Sequence, residues 1–174
     1  GVLRYVRVEF AGKEITANNE LNSFTWCAVG RNTKADYLQS FRGDDDGFEW
    51  FGGTSDQAHL IAIDGHDDGY DTQMGTRNRA QFVIVRVSPE KSKAGTQFGE
   101  RGIEADNNEF NNNLLPRSNP QIYNITLCGD PDRVEGAEGP RGANFRRGTA
   151  FTLRNFLVTG FKNVGFQISD TSTS

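Results

Sequence analysis

One octapeptide recurs along the chain. It reads Gly-Phe-Glu-Trp-Phe-Gly-Gly-Thr at 47–54, Gly-Tyr-Asp-Thr-Gln-Met-Gly-Thr at 69–76 and Gly-Ala-Asn-Phe-Arg-Arg-Gly-Thr at 142–149. Gly is first and seventh in each copy, and Thr is eighth. The first two copies lie 22 residues apart, and an Asp pair precedes each of them (Asp45-Asp46, Asp67-Asp68). A fixed period of this size predicts a solenoid, in which equivalent residues of successive repeats become spatial neighbours. Residues distant in sequence can then be read as ladders.

A second segment precedes the octapeptides. It centres in turn on Tyr5, Tyr37, Leu60, Phe82, Tyr123 and Phe156, with steps of 32, 23, 22, 41 and 33 residues. These short apolar runs, bounded by Gly, Asn and Asp, read as buried strands. A second strand begins at Ser23, Gly47, Gly69, Gly102, Gly142 and Gly165. Six coils follow, and the fold expected is an all-β, right-handed parallel β-helix of about six coils. Side chains alternate along a strand. Phe24, Phe48, Tyr70, Ile103, Ala143 and Phe166 should therefore stack inward. Thr25, Glu49, Asp71, Glu104, Asn144 and Gln167 should form an outward polar ladder.

Residues 1–168 form one expected domain, and 169–174 a tail or linker. Segments 88–101, 106–120 and 129–141 are polar and rich in Asn, Pro, Gly or Lys, so they read as inserted surface loops. The chain starts at Gly1, within a strand, and reads as processed or incompletely covered. It has no apolar run near 18 residues, so no transmembrane segment is expected. Its net charge is −4 and it lacks a basic stripe, which argues against nucleic acid as a partner. Cys27 and Cys128 fall on the first and fifth coils, roughly 19 Å apart at four strand spacings. That is beyond disulfide reach, so two free thiols are expected.

The segments Gly1–Gly12, Asp45–Thr54, Gly102–Asn107, Pro116–Pro120 and Arg147–Thr149 carry a family resemblance. Through them the chain resembles secreted or lipoprotein-type bacterial proteins with right-handed parallel β-helix repeats. The resemblance implies a β-helix at or outside the bacterial envelope, and brings no activity with it.

The acidic cluster is the main candidate site. Asp45, Asp46, Glu49, Asp67, Asp68, Asp71 and Glu104, with Asp106, fall on neighbouring coils, and like charges so spaced need compensation. Ca²⁺ suits an irregular cage of oxygens. Pairing with Arg101, which aligns with Asp68 and Asp46, or simple solvation of a turn ladder, is the other reading. The cluster is expected on a coil edge, without a cleft that holds an acid–base pair at working distance across a sugar.

Other candidates are thinner. His59 aligns with Asp36, Gln81 and Arg4 and His66 sits at a turn, so they share no ladder and build no metal site. Phe10, Phe41 and Phe51 are outward or corner aromatics that can stack on sugars or lie under a loop. Catalytic residues and other cofactors are not indicated. The function expected is an extracellular or cell-surface structural and binding module, non-enzymatic and Ca-stabilised if the cluster holds the ion. Its partners would be other extracellular proteins or glycans. The alternatives are a carbohydrate-active β-helix enzyme, lyase or hydrolase, and a subunit of an extracellular assembly whose open coil ends stack on partners.

Overall fold

The computed structural model describes residues 1–16, 20–89, 99–133 and 140–174. Each coil contributes a long and a short strand. The long strands are β1 (Val2–Glu9), β3 (Lys34–Phe41), β5 (Asp56–Ile63), β7 (Arg79–Arg86), β9 (Gln121–Cys128) and β11 (Thr152–Thr159). The short ones are β2 (Phe24–Cys27), β4 (Phe48–Phe51), β6 (Tyr70–Gln73), β8 (Arg101–Ala105), β10 (Arg141–Phe145) and β12 (Val164–Ile168). Each set forms one six-stranded parallel sheet with neighbours in coil order. This is the expected right-handed parallel β-helix of six coils, with the handedness that parallel crossovers impose.

The inward column of the short strands is the one expected from the octapeptide. Phe24, Phe48, Tyr70, Ile103, Ala143 and Phe166 pair in register from coil to coil. Phe24 and Phe48 stack at 4.9 Å, and Trp26 lies over Trp50 at 6.3 Å. Tyr70 is fully buried, and its hydroxyl accepts a hydrogen bond from Asn78 Nδ2 at 2.7 Å.

The long strands depart from the expected register. Their shared column is Tyr5, Tyr37, His59, Phe82, Asn124 and Asn155, flanked by paired neighbours on both sides. All six residues take φ between 54° and 57°. A left-handed residue breaks the two-residue alternation. In β3 the inward side chains are Ala35, Leu38 and Ser40, spaced three and then two. Alignment on the central aromatic or leucine therefore places coils 3, 5 and 6 one residue out. It also expects Tyr5, Tyr37 and Phe82 inside, whereas all three are exposed. Left-handed backbone costs about 1–2 kcal/mol per residue. Ring stacking along the ridge, at 4.8, 4.3 and 5.0 Å from Tyr5 through Tyr37 and His59 to Phe82, offsets much of that.

The octapeptide is a turn signature as well as a strand. Its sixth and seventh residues are both left-handed in each copy: Gly52-Gly53, Met74-Gly75 and Arg147-Gly148. At Gly75 a Cβ would meet the Pro116 carbonyl at 2.5 Å, so the seventh Gly admits no side chain there.

The 106–120 insertion is anchored rather than loose. Ser118 Oγ accepts the Gly75 N–H at 2.9 Å, and Asn107 Nδ2 donates to the carbonyls of Asn112 and Leu114. Of the other two expected loops, residues 90–98 and 134–139 lie outside the described residues. The tail after β12 is tied back to coil 5. Ser169 N–H donates to Phe145 O, and Asp170 Oδ2 accepts the Arg147 N–H at 2.7 Å. Both cysteines are free thiols.

Candidate functional site

Two side-chain ladders run side by side on the outer face of the short-strand sheet. The first is Thr25, Glu49, Asp71, Glu104, Asn144 and Gln167, paired as the sequence predicts. The second lies two residues further along, on the same face. It begins Cys27, Phe51, Gln73 and continues through Asp106 and Arg146, which extend the backbone ladder beyond the paired strands. Asp46 and Asp68 flank the first ladder at the preceding turn. The Oδ1 of Asp46 accepts the Asp68 N–H at 2.9 Å.

The middle of both ladders, from Thr25 to Glu104 and from Phe51 to Arg146, lines a cleft of about 560 Å³ together with Asp45, Asp46, Asp67, Asp68 and Arg147, walled on one side by Glu20, Leu21 and Asn22. The ladder thus lies in a cleft closed on one side by residues 20–22, just before β2. Outward does not mean solvated here. Asp46, Glu49, Asp68, Asp71, Glu104 and Asp106 are each 3–8 % exposed. Taking carboxylates out of water favours their protonated form. Burial and the surrounding carboxylates hold Asp46 and Asp71 well above the ordinary range. Burial and Asp67 do the same to Asp68, against the pull of Arg101. Burial pushes Asp67 and Asp106 up to about 6. Glu49 is raised by burial and lowered in part by its amide donors, Gln73 Nε2 at 2.7 Å and Asn22 Nδ2.

Cations compensate one end of the cleft. Arg101 Nη1 lies 2.7 Å from Glu104, 3.4 Å from Asp68 and 3.9 Å from Asp67. Arg146 pairs with Glu104 and Asp106, and Arg147 with Asp106 at 2.8 Å. At the other end, the oxygens of Asp45, Asp46 and Asp67 lie within 4.8 Å of one another, as do those of Asp46, Glu49 and Asp71. The seven candidate ligands therefore divide. Asp68 and Glu104 are engaged by Arg101, which reaches Asp67 more distantly and does not pair with Asp46. Asp45, Asp46, Glu49, Asp67 and Asp71 are gathered at ligand spacing. Asp71 Oδ1 is buried and meets no donor among the described residues, while the Asp71 carboxyl shares a hydrogen bond with Glu49. An all-oxygen donor set with an orphaned buried oxygen fits a hard dication such as Ca²⁺.

His59 does not align with Asp36. It occupies the left-handed ridge between Tyr37 and Phe82, and its Nδ1 lies 2.7 Å from Asp36 Oδ1. His66 Nδ1 lies 3.1 Å from Asp44 Oδ1. Sequence reasoning missed Asn22, Gln73, Arg146 and Arg147 as parts of the site. The octapeptide alignment holds the signal for three of them. Its fifth position is Phe51, Gln73 and Arg146, and its sixth in the third copy is Arg147.

A family model described as a pectate-lyase-like β-helix domain matches residues 1–174, and the chain belongs to that family. No curated protein and no solved structure matches it.

Proposed function

We propose that this member of the pectate-lyase-like β-helix family is an extracellular or cell-surface binding module of bacterial origin that holds a glycan in its acidic cleft, with Ca²⁺ as the bridging ion. The carrying observation is the gathering of Asp45, Asp46, Glu49, Asp67 and Asp71 at ligand spacing inside a cleft, with Asp71 Oδ1 unpartnered. Ca²⁺ takes six to eight oxygens, so three carboxylates leave positions for water and for ligand hydroxyl or carboxylate oxygens. Arg146 and Arg147, further along the same cleft, are placed to meet a ligand carboxylate. Such sparse cages suit the higher Ca²⁺ concentrations outside cells.

A second reading, a glycan-cleaving enzyme, is favoured by Asp67. Its carboxyl is pushed to about 6 and is half-exposed to the cleft, so it is poised to donate a proton near neutrality. The ion, when bound, supplies positive charge to a substrate carboxylate. Oligogalacturonates and neutral oligosaccharides, titrated with and without Ca²⁺ and assayed for new reducing ends and unsaturated products, test both readings. Ca²⁺-dependent binding without products supports the module. Turnover abolished by Asp67→Asn, with the fold and Ca²⁺ binding intact, establishes the enzyme. Absence of binding to every glycan removes both.

A further inference from the structure

We infer that Phe51 is a sugar-ring platform that fixes where a glycan lies in the cleft; the inference rests on the glycan reading above. Among the described residues that line the cleft, Leu21 and Phe51 are the apolar ones. The neighbouring aromatics on β2 and β4 point inward and stack, Trp26 on Trp50 and Phe24 on Phe48. Phe51 points the other way, in one column with Cys27 and Gln73. Among the described residues its ring pairs with no other ring. It is half-buried, so part of its surface faces the cleft.

Its position relative to the carboxylates gives the ring a use. Glu49 and Phe51 share the outer face of β4, about 7 Å apart along the strand. Gln73 sits beside Phe51 on the next coil and donates to Glu49 at 2.7 Å. A hexopyranose offers polar groups on its edge and C–H groups on its faces. With its edge oxygens directed to the Asp46, Glu49 and Asp71 group, its C–H face is carried over Phe51. The ligand class is thus a pyranoside with an exposed axial C–H face next to a cation-seeking edge. Arg146, three coils along the same column, would meet a later residue of the same glycan.

The test is calorimetric titration of a hexameric oligogalacturonate into the Ca²⁺-saturated wild-type chain and into Phe51→Tyr, Phe51→Leu and Phe51→Ala. Ca²⁺ titrations of each variant run alongside. Loss of a ring–sugar contact should weaken hexamer binding by about tenfold in Phe51→Leu and Phe51→Ala. Phe51→Tyr should bind like wild type, and all Ca²⁺ midpoints should coincide. Phe51→Leu keeps most of the volume, so it decides the matter if Phe51→Ala fails to fold. Equal hexamer affinity in wild type and Phe51→Leu overturns the platform and leaves the glycan reading standing. A wild type that binds Ca²⁺ but not the hexamer overturns both.

Discussion

The Oδ1 of Asp46 accepts the backbone N–H of Asp68, its counterpart one coil later, at 2.9 Å. The repeated Asp pair is therefore turn chemistry and site chemistry at once. One oxygen of Asp46 holds the next coil, and the carboxylate also belongs to both candidate ligand groups.

That double role separates two substitutions. Asp46→Ala leaves the buried Asp68 N–H without an acceptor, which should cost about 1–3 kcal/mol in chelator. Asp46→Asn keeps an acceptor oxygen and removes one charge from a crowded anionic site. Its melting temperature in chelator should equal or exceed that of wild type, while its response to Ca²⁺ is lost. Equal destabilisation by the two variants would show that the charge, rather than the hydrogen bond, holds the turn.

Stability without cation should fall as pH rises, the reverse of ordinary acid denaturation. Asp67 and Asp106 move from 3.8 to about 6 on folding, and Asp46, Asp68 and Asp71 shift in the same direction. A carboxyl raised in the folded state contributes stability that is fully present below its unfolded value. That contribution is lost as pH rises through the folded value. Thermal melts in chelator from pH 4.5 to 8 should therefore decline through about pH 6. Ca²⁺ should restore the upper half of the range and change little at the lower end. A flat or rising chelator curve would show that the carboxylates are solvated.

The inward stack is the other source of stability. Phe48 is 1 % exposed, in register between Phe24 and Tyr70. Phe48→Ala should cost about 3–5 kcal/mol in urea unfolding. A cost below about 1 kcal/mol would mean that this column is not the core.

On the ridge, Asn155 takes φ of 54° and donates to Asn124 Oδ1 at 2.8 Å. Asn155→Ala should cost about 1–2 kcal/mol, because Ala keeps a Cβ and loses the bond. Asn155→Gly should cost less, since Gly adopts that backbone freely. A larger loss for Gly than for Ala would indicate that the side-chain bond outweighs the backbone conformation.

The short-strand sheet was legible in the sequence because strict alternation and an anchored Gly fix its register. Both the Phe48–Tyr70–Ile103 column and the Glu49–Asp71–Glu104 ladder follow from aligning the short strands on Gly47, Gly69 and Gly102. The long strands were less legible. An inserted left-handed residue shifts the alternation by one, and Tyr5, Tyr37 and Phe82 occupy that position as readily as Asn124 and Asn155. A two-residue period then assigns exposed stacked rings to the core. The cleft was illegible for a different reason. Glu20, Leu21 and Asn22 belong to no repeat, and their place over Glu49 depends on how one connection folds. The division of the carboxylates between arginines and open ligand groups depends on side-chain reach, which the ladder alignment does not carry.

The most direct measurement is a calorimetric titration of Ca²⁺ into the chelator-stripped chain at pH 7.5, repeated on Asp71→Asn. Saturable binding is expected in wild type, with proton release as the raised carboxyls ionise. Binding should be at least tenfold weaker in Asp71→Asn, a loss of about 1.4 kcal/mol or more. The melting temperature should rise in step with saturation. No heat of binding and no change in melting temperature up to millimolar Ca²⁺ would contradict a Ca²⁺ site here, and the cluster would then stand as an arginine-paired ladder.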